Sequence, residues 1–125
     1  MSATALIAAT LLGQSAFSLA IESQENLPQD VAYQELSQGD PADAVAKLEN
    51  ALRLDRDDPA MLINLGTAYA RLGMSDKALR AYNAAISSDE RYQLELGNGR
   101  WMDSRAVALR ARDKLVSAMA LADRR

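Results

Sequence analysis

The chain has 125 residues, 25% of them charged, a net charge of −3, one tryptophan, and neither cysteine nor histidine. That length makes one small domain with a modest core. The composition excludes thiol nucleophiles, Ser-His-Asp triads, zinc fingers and histidine metal sites, and its alanine-rich, aromatic-poor balance suits close-packed helices better than a β-sandwich.

Residues 1–20, "MSATALIAATLLGQSAFSLA", hold no charged side chain. Ala3 to Leu12 form an apolar run of signal-peptide length, and Ser18-Leu19-Ala20 puts small residues where a signal peptidase reads. No Lys or Arg precedes the run. Gly13, Gln14, Ser15 and Ser18 interrupt the stretch of about 20 apolar residues that a membrane anchor needs. The expectation is a signal peptide over 1–20, cleaved after Ala20, then a flexible segment over 21–26. The mature chain is then periplasmic or secreted, with no membrane span. The alternatives are an inner-membrane anchor over 3–21 and a cytosolic helix.

A period of 34 residues follows. It relates Gly39 to Gly73, Ala44 to Ala78, Leu48 to Tyr82, Ala51 to Ala85 and Leu52 to Ile86. Each copy divides into two helices. In the second, Asp58 is placed to cap and Pro59 stands where the first turn needs no N–H donor. "AMLINLGTAYARL" reads as a helix ended by Gly73, and Ser75 as the cap of "DKALRAYNAAIS". In the first copy Gly39 ends a helix, Asp40 caps, and Pro41 opens "ADAVAKLENALRL". Gly66 and Ala78 are small enough to let the two helices of one copy approach closely. Leu62, Leu65 and Tyr69 share a helical face with Gly66.

Leu62-x-x-Leu65-Gly66-x-x-Tyr69, followed by Ala78-x-x-x-Tyr82 and Ala85, resembles the tetratricopeptide repeat. The resemblance covers about Leu27 to Asp89. Leu62 stands where the family often has tryptophan, Tyr82 replaces its phenylalanine, and Glu90 its closing proline. In the first copy Val31-Ala32 and Glu35 replace the Leu-Gly and Tyr of the first helix. With the signal-like start, the chain resembles small tetratricopeptide proteins exported by proteobacteria.

The resemblance implies an all-α, right-handed solenoid of helix-turn-helix repeats over 27–90. It also implies a concave groove lined by the first helix of each pair. The first copy would offer Gln29, Tyr33 and Leu36; the second Ala60, Ile63, Asn64, Thr67 and Arg71. Such a groove implies an interaction or scaffolding module that binds a peptide or helix of a partner protein. Members that clamp a terminal carboxylate use several Lys, Arg and Asn. One Asn and one Arg among apolar groups point instead to an apolar peptide or helix face.

A third copy would need a glycine at Val107 and an alanine at Arg112, so the solenoid ends after Ser88 with an apolar face to cover. "YQLELGNGRW" (92–101) alternates apolar and polar residues, and Asn98-Gly99 favours a two-residue type I′ turn. A β-hairpin over 91–102 follows, with Leu96 opposite Trp101 and Glu95 opposite Met102. Trp101 then shares a face with Leu94 and Leu96 and anchors the hairpin on the last helices. Alternatively, Trp101 and Arg105 form a second surface for a partner. Asp103 caps a terminal helix over 103–125, whose apolar side includes Ala108, Ala111, Leu115 and Met119.

Charge is unevenly spread. Glu22 to Gly99 carry 7 Lys/Arg against 14 Asp/Glu, whereas Arg100 to Arg125 carry 7 against 3. The terminal helix is either a solvated basic helix or one attracted to an acidic partner or phosphate. No stacking aromatics accompany its arginines, which argues against nucleic acid. Glu22, Glu25 and Asp30 lie near the N-terminus, and Asp55, Asp57 and Asp58 at a helix junction. Glu49 and Arg53 read as an exposed helix pair. Nothing converges as a catalytic pocket requires, and no Gly-rich phosphate loop is present. The expectation is therefore no enzyme, no cofactor and no metal, in a monomer or weak homo-oligomer. The rival reading is a self-associating structural protein of the cell envelope, in which another chain extends the short solenoid.

Overall fold

The computed structural model describes residues 26–124. The expected signal peptide, its cleavage site and the alternative anchor lie outside them. The described elements run α1 (Tyr33–Ser37), α2 (Pro41–Leu52), α3 (Pro59–Arg71), α4 (Ser75–Ser87), β1 (Gln93–Glu95), β2 (Trp101–Asp103) and α5 (Ser104–Asp123). Among the described residues no helix is long and apolar enough to cross a membrane. The mainly helical repeat fold with a two-stranded hairpin is the one expected.

The 34-residue period reappears in the backbone. At Gly73 (φ +77°) the amide of Met74 reaches the Tyr69 carbonyl at 2.9 Å, and that of Gly73 the Ala70 carbonyl at 3.1 Å. At Gly39 (φ +82°) Asp40 and Gly39 do the same to Glu35 and Leu36, at 2.9 and 3.3 Å. Both helices thus end in one paired motif that satisfies their last carbonyls and needs a left-handed residue. At the other ends, Pro41 and Pro59 each occupy the first turn. Asp58 caps α3 through Met61 N at 3.1 Å. Asp40 stands at the cap of α2 without a side-chain bond, and Ser75 is the first residue of α4 rather than its cap.

α3 is the centre of the core. It packs against α2, α4 and α5. Ala60, Leu62, Ile63, Asn64, Leu65, Gly66, Ala68 and Tyr69 are all buried. Gly66 meets the ring of Tyr82 on α4. A Cβ there would lie 2.5 Å from Tyr82 Cε1 and 2.6 Å from Cδ1. Ala78, one turn earlier on α4, is fully buried, but it is Tyr82 that meets Gly66.

The first copy departs from expectation. Its first helix is only α1, and Ala32 before it is left-handed (φ +68°). Pro28 could open a helix as Pro41 and Pro59 do, but the left-handed Ala32 breaks the run, and the backbone of 27–29 is committed to the hairpin. Residues 26–32 instead form a strap across α3. Gln29 N donates to the Glu95 carbonyl at 2.8 Å, and Gly97 N to that of Leu27 at 2.9 Å, so Pro28 pairs with Leu96 on the outer edge of β1.

The hairpin forms, but one residue out of the expected register. Leu94 pairs with Met102 and Glu95 with Trp101. The loop holds three residues, closed by Leu96 N to Arg100 O and Gly99 N to Leu96 O, both 2.8 Å. A type I′ turn would need positive φ at Asn98 as well as Gly99, and Asn98 does not have it. The three-residue loop places that demand on Gly99 alone (φ +81°), where it costs least. A slip of one residue turns every side chain to the opposite face. Leu94 and Leu96 are buried, Met102 is half-buried, and Trp101 points outward at 63% exposure. Trp101 is therefore not the anchor of the hairpin.

Two stability outcomes follow from this packing. Gly66→Ala gains about 1 kcal/mol of helix propensity but overpacks Tyr82 at a cost of about 1–3 kcal/mol, so thermal denaturation should show a net loss. Trp101→Ala should leave stability within about 0.5 kcal/mol, and the single tryptophan should already emit at long wavelength in the folded state.

Candidate binding groove

Two helical stripes face each other across a cavity of about 430 Å³. Ile63, Thr67 and Ala70 of α3 recur at offsets of four and three, with Arg71 beside them. Ala111, Lys114, Leu115 and Ala118 of α5 recur at three, four and seven, after Val107 and Arg110. Leu27 of the strap and Leu96 and Met102 of the hairpin supply the remaining apolar wall. Tyr82, 3% exposed, belongs to the floor. Its hydroxyl lies 2.9 Å from Thr67 Oγ1, which itself donates to the Ile63 carbonyl at 3.0 Å. Burial pushes the Tyr82 phenol up, so it stays neutral and the floor carries no anion.

The structure distributes the eight expected groove residues over three places. Ile63, Thr67 and Arg71 line the cavity. Leu36 and Ala60 are core residues, and Tyr33 is half-buried against that core. Asn64 and Gln29 hold the strap. Asn64, fully buried, donates through Nδ2 to the carbonyls of Pro28 at 3.2 Å and Val31 at 3.0 Å. Gln29 Nε2 donates to the Leu96 carbonyl at 2.7 Å. The strap thus lies against α3 and the hairpin, and the cavity opens on the α3–α5 side. Arg71 ties the two copies together by donating to the Leu36 carbonyl at 2.6 Å. Partial burial pulls its guanidinium below the ordinary arginine value.

The α5 wall was only partly legible. Its apolar positions Ala111 and Leu115 follow from helical spacing, and its cations from the basic balance after Arg100. That this face turns towards α3 is a tertiary fact. Of the expected second surface, Trp101 is exposed, while Arg105 is drawn inward and donates to the Ser88 carbonyl at 3.2 Å.

The acidic junction gathers around the cap of α3. Asp55, Asp58 and Glu90 bring carboxylate oxygens within 4.8 Å of one another, the closest approach to a metal-ligand set among the described residues. Asp58 also accepts from Tyr92 Oη at 2.8 Å. The neighbouring Asp55 carboxyl, then the charges of Asp58 and Asp57, hold Glu90 above its ordinary range. Glu49 does not pair with Arg53 as expected. It accepts from the Tyr69 hydroxyl on α3, which burial and this bond push up to about 12.

Glu90 supplies a pH-dependent outcome. A carboxyl whose folded pKa is raised favours the protonated fold, so its contribution is present at acid pH and lost as pH rises through that pKa. Glu90→Gln should therefore raise the melting temperature at neutral pH. The advantage should shrink as pH falls into the carboxylate range, as followed by circular dichroism.

Residues 32–93 match the family model described as Tetratricopeptide repeat. No significant match is found among curated proteins or among solved structures. The matched span runs from the left-handed Ala32 into β1, and so takes in both glycine-ended helix pairs described above. On its repeat period, its paired helix ends and this match, the chain belongs to the tetratricopeptide repeat family.

Proposed function

We propose that the chain is a protein-interaction module of the cell envelope, which binds a peptide or helical segment of a partner in the groove between α3 and α5. Tetratricopeptide repeats generally mediate protein–protein interaction or scaffolding and are typically not enzymes. The observation that carries the reading is the cavity itself. Its 430 Å³ falls within the range of about 300–1,000 Å³ common to ligand pockets, and its walls are mostly apolar. It stays open where the strap has closed the first copy. Ile63, Thr67 and Arg71 would contact the partner. Gln29, Tyr33, Leu36, Ala60 and Asn64 would hold the strap and the core that shape it. Export rests on residues 1–20, and periplasmic or secreted localisation rests on export.

Self-association is the second reading. Leu109, Val116 and Leu121 are exposed on α5, where a further helix pair would stack. Trp101 would add to such a surface.

A photo-crosslinking residue tests the two together. Placed at Ala118 on the groove wall, in the native host, it should link the chain to another protein. Placed at Leu54, 94% exposed and outside the groove, it should not. Mass spectrometry of the adduct should also show a chain beginning at Ile21. Equal yields at both positions would sink the groove reading. Adducts of the chain with itself would support self-association.

A further inference from the structure

We infer that the occupant of the groove carries acidic side chains beside its apolar anchors, and that α5 supplies the charge that selects it. The inference rests on the groove being the binding site. Three cations line the cavity, Arg71, Arg110 and Lys114, and no Asp or Glu does. Arg110 finds only the Met102 sulfur, at 3.6 Å. Lys114 has no ion pair among the described residues. Arg71 spends one N–H on the Leu36 carbonyl and keeps others. The neighbouring Asp113 faces away, 73% exposed and paired with Arg112 at 3.6 Å.

This is not the charge of the molecule at large. Between Glu22 and Gly99 acidic residues outnumber basic ones 14 to 7. The groove is a basic seam in an acidic body, and the field around it draws an acidic segment there while repelling it elsewhere. Arg110 and Lys114, one turn apart, run along one side of the apolar line of Ala111, Leu115 and Ala118, so the occupant needs an acidic row beside its apolar one. The volume admits a few side chains rather than a folded domain. The family match ends at residue 93, before either α5 cation, so this selectivity lies outside the repeat pattern.

The test uses the full chain and three acetylated, amidated helical peptides of equal length. They share one leucine row and carry Glu, Gln or Lys elsewhere, so no terminal carboxylate contributes. By fluorescence anisotropy at low salt the Glu peptide should bind about tenfold tighter than the Gln peptide, and the Lys peptide weakest. High salt should erase the difference. Arg110→Glu with Lys114→Glu should reverse the order of the Glu and Lys peptides, and Ala118→Trp should abolish all binding. All three positions are exposed, so each variant should fold, with circular dichroism as the check.

Equal affinity for all three peptides, lost in Ala118→Trp, would overturn the acidic occupant and leave the groove. Binding that survives Ala118→Trp, or no binding at all, would overturn both. Self-association removed by Ala118→Trp would give the groove to a second copy and overturn the inference. So would refusal of all peptides relieved by Glu22→Lys with Glu25→Lys, which would give it to the chain's own N-terminal residues.

Discussion

The contact between Gly66 and the Tyr82 ring governs the rest of the molecule. With no Cβ at Gly66, α3 and α4 approach until the ring lies against the α3 backbone. That approach buries Tyr82 and brings its hydroxyl to Thr67. It also sets the depth of the cavity floor, because Thr67 and Tyr82 both line it. Interiors this dense transmit small volume changes, so a methyl group at Gly66 would be felt at the groove.

A two-repeat solenoid has two ends and little between them, and each end must cover an apolar face that a neighbouring repeat would otherwise cover. At the C-terminal end α5 packs on α4 and α3 in the place of a third repeat. At the N-terminal end the strap takes over from a full first helix. Asn64 holds it with two hydrogen bonds inside the core, where an unpaired carbonyl would cost about 1–3 kcal/mol. The strap and the hairpin then complete each other. Leu27 and Pro28 cover the outer edge of β1, which a lone hairpin would leave open. Leu96, buried at the crossing, belongs to both.

These two coverings also decide where a partner can enter. The strap lies along α3 and the hairpin, and α5 forms a wall opposite α3. The Thr67 and Tyr82 hydroxyls of the floor are engaged with each other, and three cations without an ion pair among the described residues, Arg71, Arg110 and Lys114, line the cavity. An apolar floor under a cationic rim orients an amphipathic segment by both of its faces.

The sequence by itself determined the helical class, the 34-residue repeat, the helix ends at Gly39 and Gly73, and the presence of a hairpin. Each depends on local chemistry: a left-handed glycine after a helix, a proline in a first turn, an alternating apolar row. The tertiary structure decided the hairpin register, the fate of the first helix and the position of the groove. The dipeptide Asn98-Gly99 accommodates either a two- or a three-residue loop, and the choice moves Trp101 from core to solvent. Pro28 is locally as fit to open a helix as Pro41 or Pro59, but its pairing with Leu96 joins residues 68 apart in the chain. Asn64 reads as a polar groove residue until the strap that it holds is in place. Arg110 and Lys114 read as a solvated basic face until α5 folds back against α3. Spacing along one helix shows which side chains share a face, but only packing against the other elements shows what that face meets.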